Sequence, residues 1–145
     1  MSDSQLKDLE AIRTLKSLYA RRADQVFRSP GPASAAALAE IFTEDGVLDL
    51  GPFGRYEGRA ALLNAFEHIL PQATGWSAHY ITSPIIDVDG TSAQGSWSFL
   101  IFAQPRISPP PPAAPIYGGY DDRYEKVGGA WKIASSVASY SSPAS

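Results

Sequence analysis

The side chains that could do chemistry in this chain are few, because it contains two histidines, His68 and His79, and no cysteine. Without cysteine there can be no thiolate nucleophile, no disulfide and no Cys-ligated metal, and two histidines alone make a zinc site hard to build. A histidine can still act as a general base near neutral pH. The residue types therefore predict chemistry without a metal, or no chemistry at all.

Three polar residues occupy positions where the surrounding pattern predicts partial burial. His79 shares a strand face with Ser77 and Ile81. Asp24 lies at the edge of the apolar stripe of a helix, and Tyr19 lies inside that stripe. Taken singly, each has an ordinary structural interpretation: a hydrogen-bonded core histidine, a solvated helix carboxylate, and a core tyrosine whose hydroxyl reaches a partner.

Composition limits the kind of protein that can position these side chains. The 145 residues, 44% hydrophobic and 19% charged, suit one globular domain over residues 1–145. A net charge of -3 and a single local basic pair, Arg21-Arg22, argue against nucleic-acid and anionic-membrane partners. No apolar run approaches the ~18 residues of a membrane span, and the chain does not begin with a signal region. We therefore expect a cytoplasmic protein with no membrane partner.

Helical patterns dominate the first half of the chain. Apolar residues recur at steps of three and four from Leu9 to Val26, which is typical of an amphipathic helix. Turn residues follow it at Ser29-Pro30-Gly31-Pro32. The predicted helices span residues 4–29, 34–42 and 59–70. Glu44-Asp45-Gly46 supplies the stop of the second helix, and Pro71 ends the third. Short strands are predicted at 47–50 and 55–56.

Strand patterns dominate the second half. Runs rich in β-branched and aromatic residues predict long antiparallel strands at 77–88, 91–104, 116–127 and 130–140, joined in pairs by Asp89-Gly90 and Gly128-Gly129. Pro84 predicts a bulge or a sheet edge. A Pro-rich loop at 105–115 is either a surface connection, a lid over a pocket or an oligomer contact. Helices followed by strands predict an α+β fold in which helices pack on one face of a bent antiparallel sheet.

Alternation along two of these strands indicates which face points inward. In 91–104 the odd positions are almost wholly apolar, so that face should be buried. In 116–127 the even face places Asp122 between Tyr120 and Tyr124. A carboxylate on an inward face needs either a satisfied hydrogen-bond network or a ligand. Of these three residues, Tyr120 is the better candidate for a pocket.

Several segments, in this order along the chain, together resemble a known family. They are Ala11-Ile12 through Tyr19 to Asp24, Leu38-Ala39-Glu40-Ile41-Phe42, Glu44-Asp45-Gly46, Tyr56-Glu57-Gly58, Ala78-His79-Tyr80, and Tyr124-Glu125-Lys126-Val127-Gly128-Gly129-Ala130-Trp131-Lys132-Ile133. On these segments the chain is identified as a member of the nuclear transport factor 2-like superfamily, in its SnoaL-like branch. The resemblance implies a cone-shaped α+β barrel, in which N-terminal helices pack on a strongly curved, mostly antiparallel sheet that encloses an apolar pocket.

The resemblance also implies a function. The bile-acid dehydratase, scytalone dehydratase and lindane dehydrochlorinase groups work without cofactors, and the first and last of them use a histidine and an aspartate at positions similar to His79 and Asp24. Tyr19 is similar to a tyrosine of the bile-acid dehydratase group, where the dehydrochlorinase has a lysine. The dehydrochlorinase pattern has an arginine where this chain has Ser136, so chloride elimination is not expected. The expected function is that of a cofactor-independent lyase or isomerase in which His79, oriented by Asp24, removes a proton from the substrate, and the favoured reaction is dehydration.

The same resemblance implies a substrate and an assembly. The substrate is expected to be a small hydrophobic molecule, cyclic or aromatic, with at least one oxygen. A homo-oligomer, trimer or dimer, is expected, with Leu100 and Phe102 on an outer sheet face. The alternative function is a non-catalytic module of the same fold that binds an apolar ligand or assembles with itself. The implied pocket wall consists of Leu48, Phe53, Phe99, Ile101, Ile116, Tyr120, Ala138 and Tyr140.

Overall fold

Helices in the first half of the chain pack on a sheet formed mainly by the second half. The computed structural model describes residues 1–141. The elements are α1 (Asp3–Arg28), α2 (Pro32–Ala39), β1 (Phe42–Asp49), a 3-10 turn (Gly51–Phe53), β2 (Arg55–Glu57), α3 (Arg59–Asn64), a π-helical turn (Ala65–Ile69), α4 (Leu70–Ala73), β3 (Thr74–Asp89), β4 (Ser92–Pro105), β5 (Ala114–Val127) and β6 (Ala130–Tyr140). The sheet order is β2-β1-β6-β5-β4-β3, antiparallel except for the parallel pair β1 and β6. The predicted α+β class is confirmed.

The long helix α1 begins at a capping box. The Ser2 hydroxyl accepts a hydrogen bond from the Gln5 amide at 3.2 Å, and the Ser2 amide donates to the Gln5 side chain at 3.1 Å. Such a cap contributes about 1 kcal/mol. The buried stripe of α1 runs from Ile12 to Val26, as its spacing predicts.

Within residues 1–141 no helix is long and apolar enough to cross a membrane.

The second helix is shorter than its pattern predicts. It ends at Ala39, and Phe42 begins β1, where it pairs with Ile133 of β6. The predicted stop at 44–46 therefore lies inside the strand, at a register shift between Phe42 and Val47. Gly46 fits this bulge because a Cβ there would lie 3.0 Å from the Phe42 side chain and from the Thr43 carbonyl. Pairing with β6 outweighs the local preference for helix.

The third helical segment is longer than predicted, and Pro71 does not end it. A π-helical turn follows α3, with the Leu70 amide donating to the Ala65 carbonyl. The wider turn places Pro71 in the first turn of α4, where a proline needs no amide donor. The segment thus continues to Ala73.

Pro84 lies where the sequence predicts an irregularity, and the Pro-rich loop is shorter than predicted. It spans residues 106–113, because Pro105 and Pro115 take part in β4 and β5. The register of β3 with β4 shifts between Thr82 and Ile85, and β3 is an edge strand, so Pro84 lies at both a bulge and an edge. The loop is an exposed connection between β4 and β5.

Arg106, the first residue of the loop, holds together three segments of the chain. Its guanidinium donates to the carbonyls of Phe27 at 2.9 Å, Pro71 at 2.5 Å and Thr74 at 3.3 Å. These carbonyls belong to the end of α1, to α4 and to the start of β3. We call this arrangement the Arg106 clamp.

Candidate active site

A cavity lies between the helices and the inner face of the sheet. It has a volume of about 220 Å³ and a mostly apolar wall. Polar groups reach it mainly from α1, from β3 and from β5. Its lining consists of Tyr19, Ala23, Val26, Phe27, Leu38, Leu48, Leu50, Phe53, Phe66, Ile69, Leu70, Ala73, Thr74, Ser77, His79, Ile101, Ala103, Ile116, Tyr120 and Tyr140.

Six of the eight residues predicted for the pocket wall line this cavity: Leu48, Phe53, Ile101, Ile116, Tyr120 and Tyr140. The other two, Phe99 and Ala138, do not. Phe99 is buried with its ring 4.7 Å from that of Tyr120, centroid to centroid, and Ala138 pairs with Tyr120 across the strands. Both residues thus face inward but lie behind the Tyr120 ring rather than beside the cavity.

Apart from Tyr19, the residues on the helical side of the cavity were not predicted. Val26 and Phe27 belong to the last turns of α1, and Phe66, Ile69 and Leu70 come from the π-helical turn and α4. The stripe of α1 could have indicated Val26, because the apolar spacing continues to that residue. Hydrophobic periodicity gives no signal for a π-helical turn.

Asp24 and His79 are brought into contact at the cavity wall. The distance from His79 Nδ1 to Asp24 Oδ1 is 2.6 Å, and the His79 amide donates to Asp24 Oδ2 at 3.2 Å. Ser77 donates its hydroxyl to Asp24 Oδ1 at 2.7 Å. The His79 side chain is 7% exposed and that of Asp24 is 14% exposed. Three donors from β3 thus fix one carboxylate of α1.

These contacts determine the charge and the tautomer of the pair. Burial raises the pKa of Asp24, but the hydrogen bonds from His79 and Ser77 outweigh burial and bring the pKa below its ordinary value. Asp24 is therefore a carboxylate at neutral pH. A carboxylate against Nδ1 places the imidazole proton on that nitrogen and leaves Nε2 as an acceptor on the other edge of the ring. His79 thus has the geometry of an oriented general base.

Two tyrosines complete the polar part of the cavity. The Tyr19 ring lies 6.4 Å from the His79 ring and 5.7 Å from the Tyr120 ring, in edge-to-face contact with both. Burial raises the pKa of both tyrosines. Both hydroxyls are therefore protonated at neutral pH, and each can donate to a ligand.

Tyr140 differs from these two tyrosines. Its hydroxyl donates to the Leu50 carbonyl at 2.9 Å. Burial raises the pKa of Tyr140 to about 12. Since its only proton is used in the wall, Tyr140 contributes shape rather than a donor.

Beneath the tyrosines lies a buried ion pair. Lys16 Nζ is 2.8 Å from Asp122 Oδ2, and the two side chains are 1% and 0% exposed. Tyr124 donates to the same carboxylate at 2.6 Å, and Trp97 donates to the Tyr124 hydroxyl at 2.9 Å. A hydrogen-bond network therefore holds Asp122 Oδ2, as one of the two interpretations expects, but Oδ1 has no partner among the described residues.

Lys16 itself was missed from the sequence. It lies four residues after Ile12 and three before Tyr19, within the buried stripe of α1. A lysine at the centre of an apolar stripe is rare unless it is paired, and that position was the available signal. Lys16 also donates to Ser136 at 3.3 Å, so a cation reaches this serine from α1.

Within residues 1–141 no cluster of three His, Cys, Asp or Glu side chains could hold a metal.

The fold and the cavity define the class of the protein. Helices on a curved, unclosed six-stranded sheet are the nuclear transport factor 2-like, or cystatin-like, architecture, as in a Novosphingobium aromaticivorans protein of that description with a TM-score of 0.76. The chain belongs to the SnoaL-like domain family, which matches residues 4–137. The SnoaL-like branch that the sequence motifs indicate is thus confirmed.

Solved structures show which proteins share this architecture. A putative scytalone dehydratase from Novosphingobium aromaticivorans is 25% identical, with a TM-score of 0.80 over 97% of this chain and 89% of its own. A hexachlorocyclohexane dehydrochlorinase, LinA type 3 from Novosphingobium barchaimii, is 21% identical, with a TM-score of 0.78 over 97% and 91%. A Mycobacterium tuberculosis protein of unknown function is 22% identical, with a TM-score of 0.77 over 95% and 74%. No curated protein matches the chain in sequence.

Proposed function

We propose that the protein is a cofactor-independent lyase or isomerase that acts on a small hydrophobic, cyclic or aromatic substrate carrying at least one oxygen. The observation that carries the proposal is the 2.6 Å contact between Asp24 and His79 at the wall of an apolar cavity. A protein that only binds an apolar ligand has no need of a carboxylate behind its histidine. Structural similarity to a putative scytalone dehydratase supports the same class.

The proposed reaction is a dehydration. His79 Nε2 removes a proton from carbon, and the Asp24 carboxylate stabilises the imidazolium that forms. Tyr19 donates a hydrogen bond to the substrate oxygen on which negative charge develops. The imidazolium then returns its proton to the departing hydroxyl, so that the C–O bond breaks, one water leaves and His79 is restored. Where no group leaves, return of the proton to a different carbon gives isomerisation.

Chloride elimination is not part of the proposal. Ser136 is fully buried and is paired with Lys16, whose charge is already matched by Asp122. Ser136 therefore provides no positive charge at the cavity wall that could stabilise a leaving halide.

The titration of the two imidazoles tests the Asp24–His79 pair directly. We expect Asp24→Asn to move the NMR titration of His79 to lower pH, because the neutral amide no longer stabilises the imidazolium. Ser77→Ala should move it slightly in the opposite direction, because the carboxylate then loses a donor and becomes more basic. The exposed His68 should titrate identically in all three proteins. A His79 titration that is unchanged in Asp24→Asn would remove the support for a general base and favour the ligand-binding alternative.

We further propose that the chain forms a homo-oligomer, a trimer or a dimer, through the outer face of β3 and β4. Tyr80 is 59% exposed and Leu100 is 38% exposed, and the two are directly paired across the strands. The Tyr80 ring contacts Phe102 with 6.3 Å between centroids. Adjacent exposed apolar side chains of this kind are typical of an interface.

Light scattering tests this assembly. We expect an oligomer for the wild type and a monomer for Leu100→Glu, since a charge cannot be buried unpaired in an apolar interface. Leu63→Glu, at a comparably exposed leucine of α3, is the matched control and should leave the assembly intact. A monomeric wild type at all concentrations would reject the proposal.

A further inference from the structure

The proposed mechanism leaves one buried charged group without a role, the Lys16–Asp122 pair. The Lys16 ammonium lies over the faces of two cavity tyrosines, with Nζ 3.9 Å from the Tyr120 ring centroid and 4.3 Å from that of Tyr19. Lys16 is absent from the cavity lining, so it acts on a ligand only through these rings. Two cation–π contacts from one fully buried ammonium place a charge directly behind the proposed donors.

We propose that Lys16 is a positioning residue that orients and polarises the Tyr19–Tyr120 pair, so that the cavity binds its ligand oxygen as an oxyanion of the enolate or phenolate type. The proposal rests on the proposed function, since it concerns the oxygen that Tyr19 would hold. The new points are that this oxygen is bound as an oxyanion and that Lys16 supplies the positive charge that stabilises it.

The positive end of the ion pair faces the rings. The ammonium touches both ring faces. Asp122 lies two residues from Tyr120 along β5, so the Cα atoms of these two residues are about 7 Å apart. The Asp122 carboxylate is also held by Tyr124, which in turn accepts from Trp97. Because Coulomb energy falls with distance, an ammonium 3.9 Å and 4.3 Å from the two ring centroids acts strongly on both rings. The side chains of the ion pair are 1% and 0% exposed, and the low dielectric of such a buried site strengthens the effect.

Both tyrosines can donate to a ligand in the cavity. Their rings lie 5.7 Å apart in edge-to-face contact, and both residues line the cavity. Negative charge that develops on a ligand oxygen held by these hydroxyls lies above the ammonium, which stabilises that charge. Burial, and to a lesser degree Asp122, raises the pKa of both tyrosines, so they remain protonated donors while the charge resides on the ligand.

A small phenol can report the charge on a bound oxygen. The cavity of about 220 Å³ is larger than the roughly 150 Å³ that holds benzene in a protein interior. The probe is 4-nitrophenol, whose phenolate and phenol forms absorb at different wavelengths. On binding, its O–H proton would pass to His79 Nε2, which gives an imidazolium and a bound phenolate, and no other bond changes. Nitrobenzene, which lacks the hydroxyl, reports the shape of the cavity alone.

The experiment compares three proteins over a range of pH. They are the wild type, Lys16→Met with Asp122→Leu, and Lys126→Met with Asp8→Leu. The last removes the same two residue types from the partly exposed Lys126–Asp8 pair, whose ions are 3.1 Å apart and do not line the cavity. We expect the buried double variant to lower the phenolate-to-phenol ratio of the bound probe about tenfold, or one pKa unit. The surface double variant should match the wild type, and nitrobenzene should bind all three equally.

Each other outcome overturns the proposal. An equal ratio in the wild type and the buried double variant would show that Lys16 does not act on the bound oxygen. Loss of nitrobenzene binding in parallel would show that the pair only maintains the shape of the cavity. A wild type that binds no 4-nitrophenol, or binds it only as the phenol, has no oxyanion site.

Two further measures keep the result decisive. If the apolar double variant does not fold, Lys16→Gln with Asp122→Asn, an uncharged hydrogen-bonding pair, replaces it with the same expectations. The His79 titration in Asp24→Asn uses no probe, so failure of the proposed function is detected separately from failure of the role of Lys16.

Discussion

Replacement of His79 by alanine is expected to lower turnover by about 10² to 10⁴ while the protein stays folded, because this is the usual contribution of a positioned general base. The side chain touches Asp24 on one edge and the cavity on the other, so its loss removes the base without breaking the sheet. The measurement is the rate of dehydration or isomerisation with a panel of hydroxylated cyclic and aromatic compounds, supported by circular dichroism of the variant.

His68→Ala is the matched control for this prediction. His68 lies in the π-helical turn with its side chain 64% exposed and within 3.3 Å of the neighbouring Glu67 carboxylate. Its removal should leave the rate unchanged. Asp24→Asn should slow the reaction, and the double variant with His79→Ala should be little slower than His79→Ala alone, because the two residues act as a unit. A folded His79→Ala protein with full turnover would exclude His79 from the mechanism.

Lys16→Met is expected to be strongly destabilising, by about 3–5 kcal/mol in the free energy of unfolding. The single change leaves the Asp122 carboxylate fully buried without its cation, although Tyr124 still donates to it. One oxygen of that carboxylate, Oδ1, already has no hydrogen-bond partner among the described residues. Urea unfolding monitored by tryptophan fluorescence measures the loss.

The double variant Lys16→Met with Asp122→Leu should recover most of that stability. Apolar residues of similar volume replace a buried ion pair at little cost, because neither charge then has to be desolvated. Lys126→Met, which breaks an ion pair with a partly exposed lysine, should cost much less than Lys16→Met. Equal losses in the single and the double variant would show that packing by the lysine stem, rather than its charge, stabilises this region.

Most of the fold could be predicted from local patterns. The stripe of α1 and the alternation of β4 are properties of the sequence itself, and the structure follows both. The errors lie where tertiary contacts overrule local preference. Phe42 joins β1 because β6 offers it a partner, and Pro71 is tolerated because a π-helical turn shifts the hydrogen-bond pattern before it.

The candidate site was predictable only in part, for similar reasons. The contact between Asp24 and His79 joins residues 55 positions apart, and spacing alone does not indicate such a contact. The third partner, Ser77, and the buried Lys16 follow from how α1 lies against the sheet. Phe99 and Ala138 were assigned to the cavity wall by the family resemblance. Both are buried on the inner side, but neither a resemblance nor face alternation gives their depth behind the wall.

The Arg106 clamp has a consequence for how this chain can change in length. Three segments that border the cavity are fixed by the first residue of the loop, and the residues that follow it, up to 112, are exposed. Insertions beyond the anchor therefore do not pull on α1, α4 or β3, and lengthening an exposed loop costs little entropy. The loop is thus a natural place for length variation among descendants of this sequence, and for grafting a fluorescent reporter between residues 109 and 110.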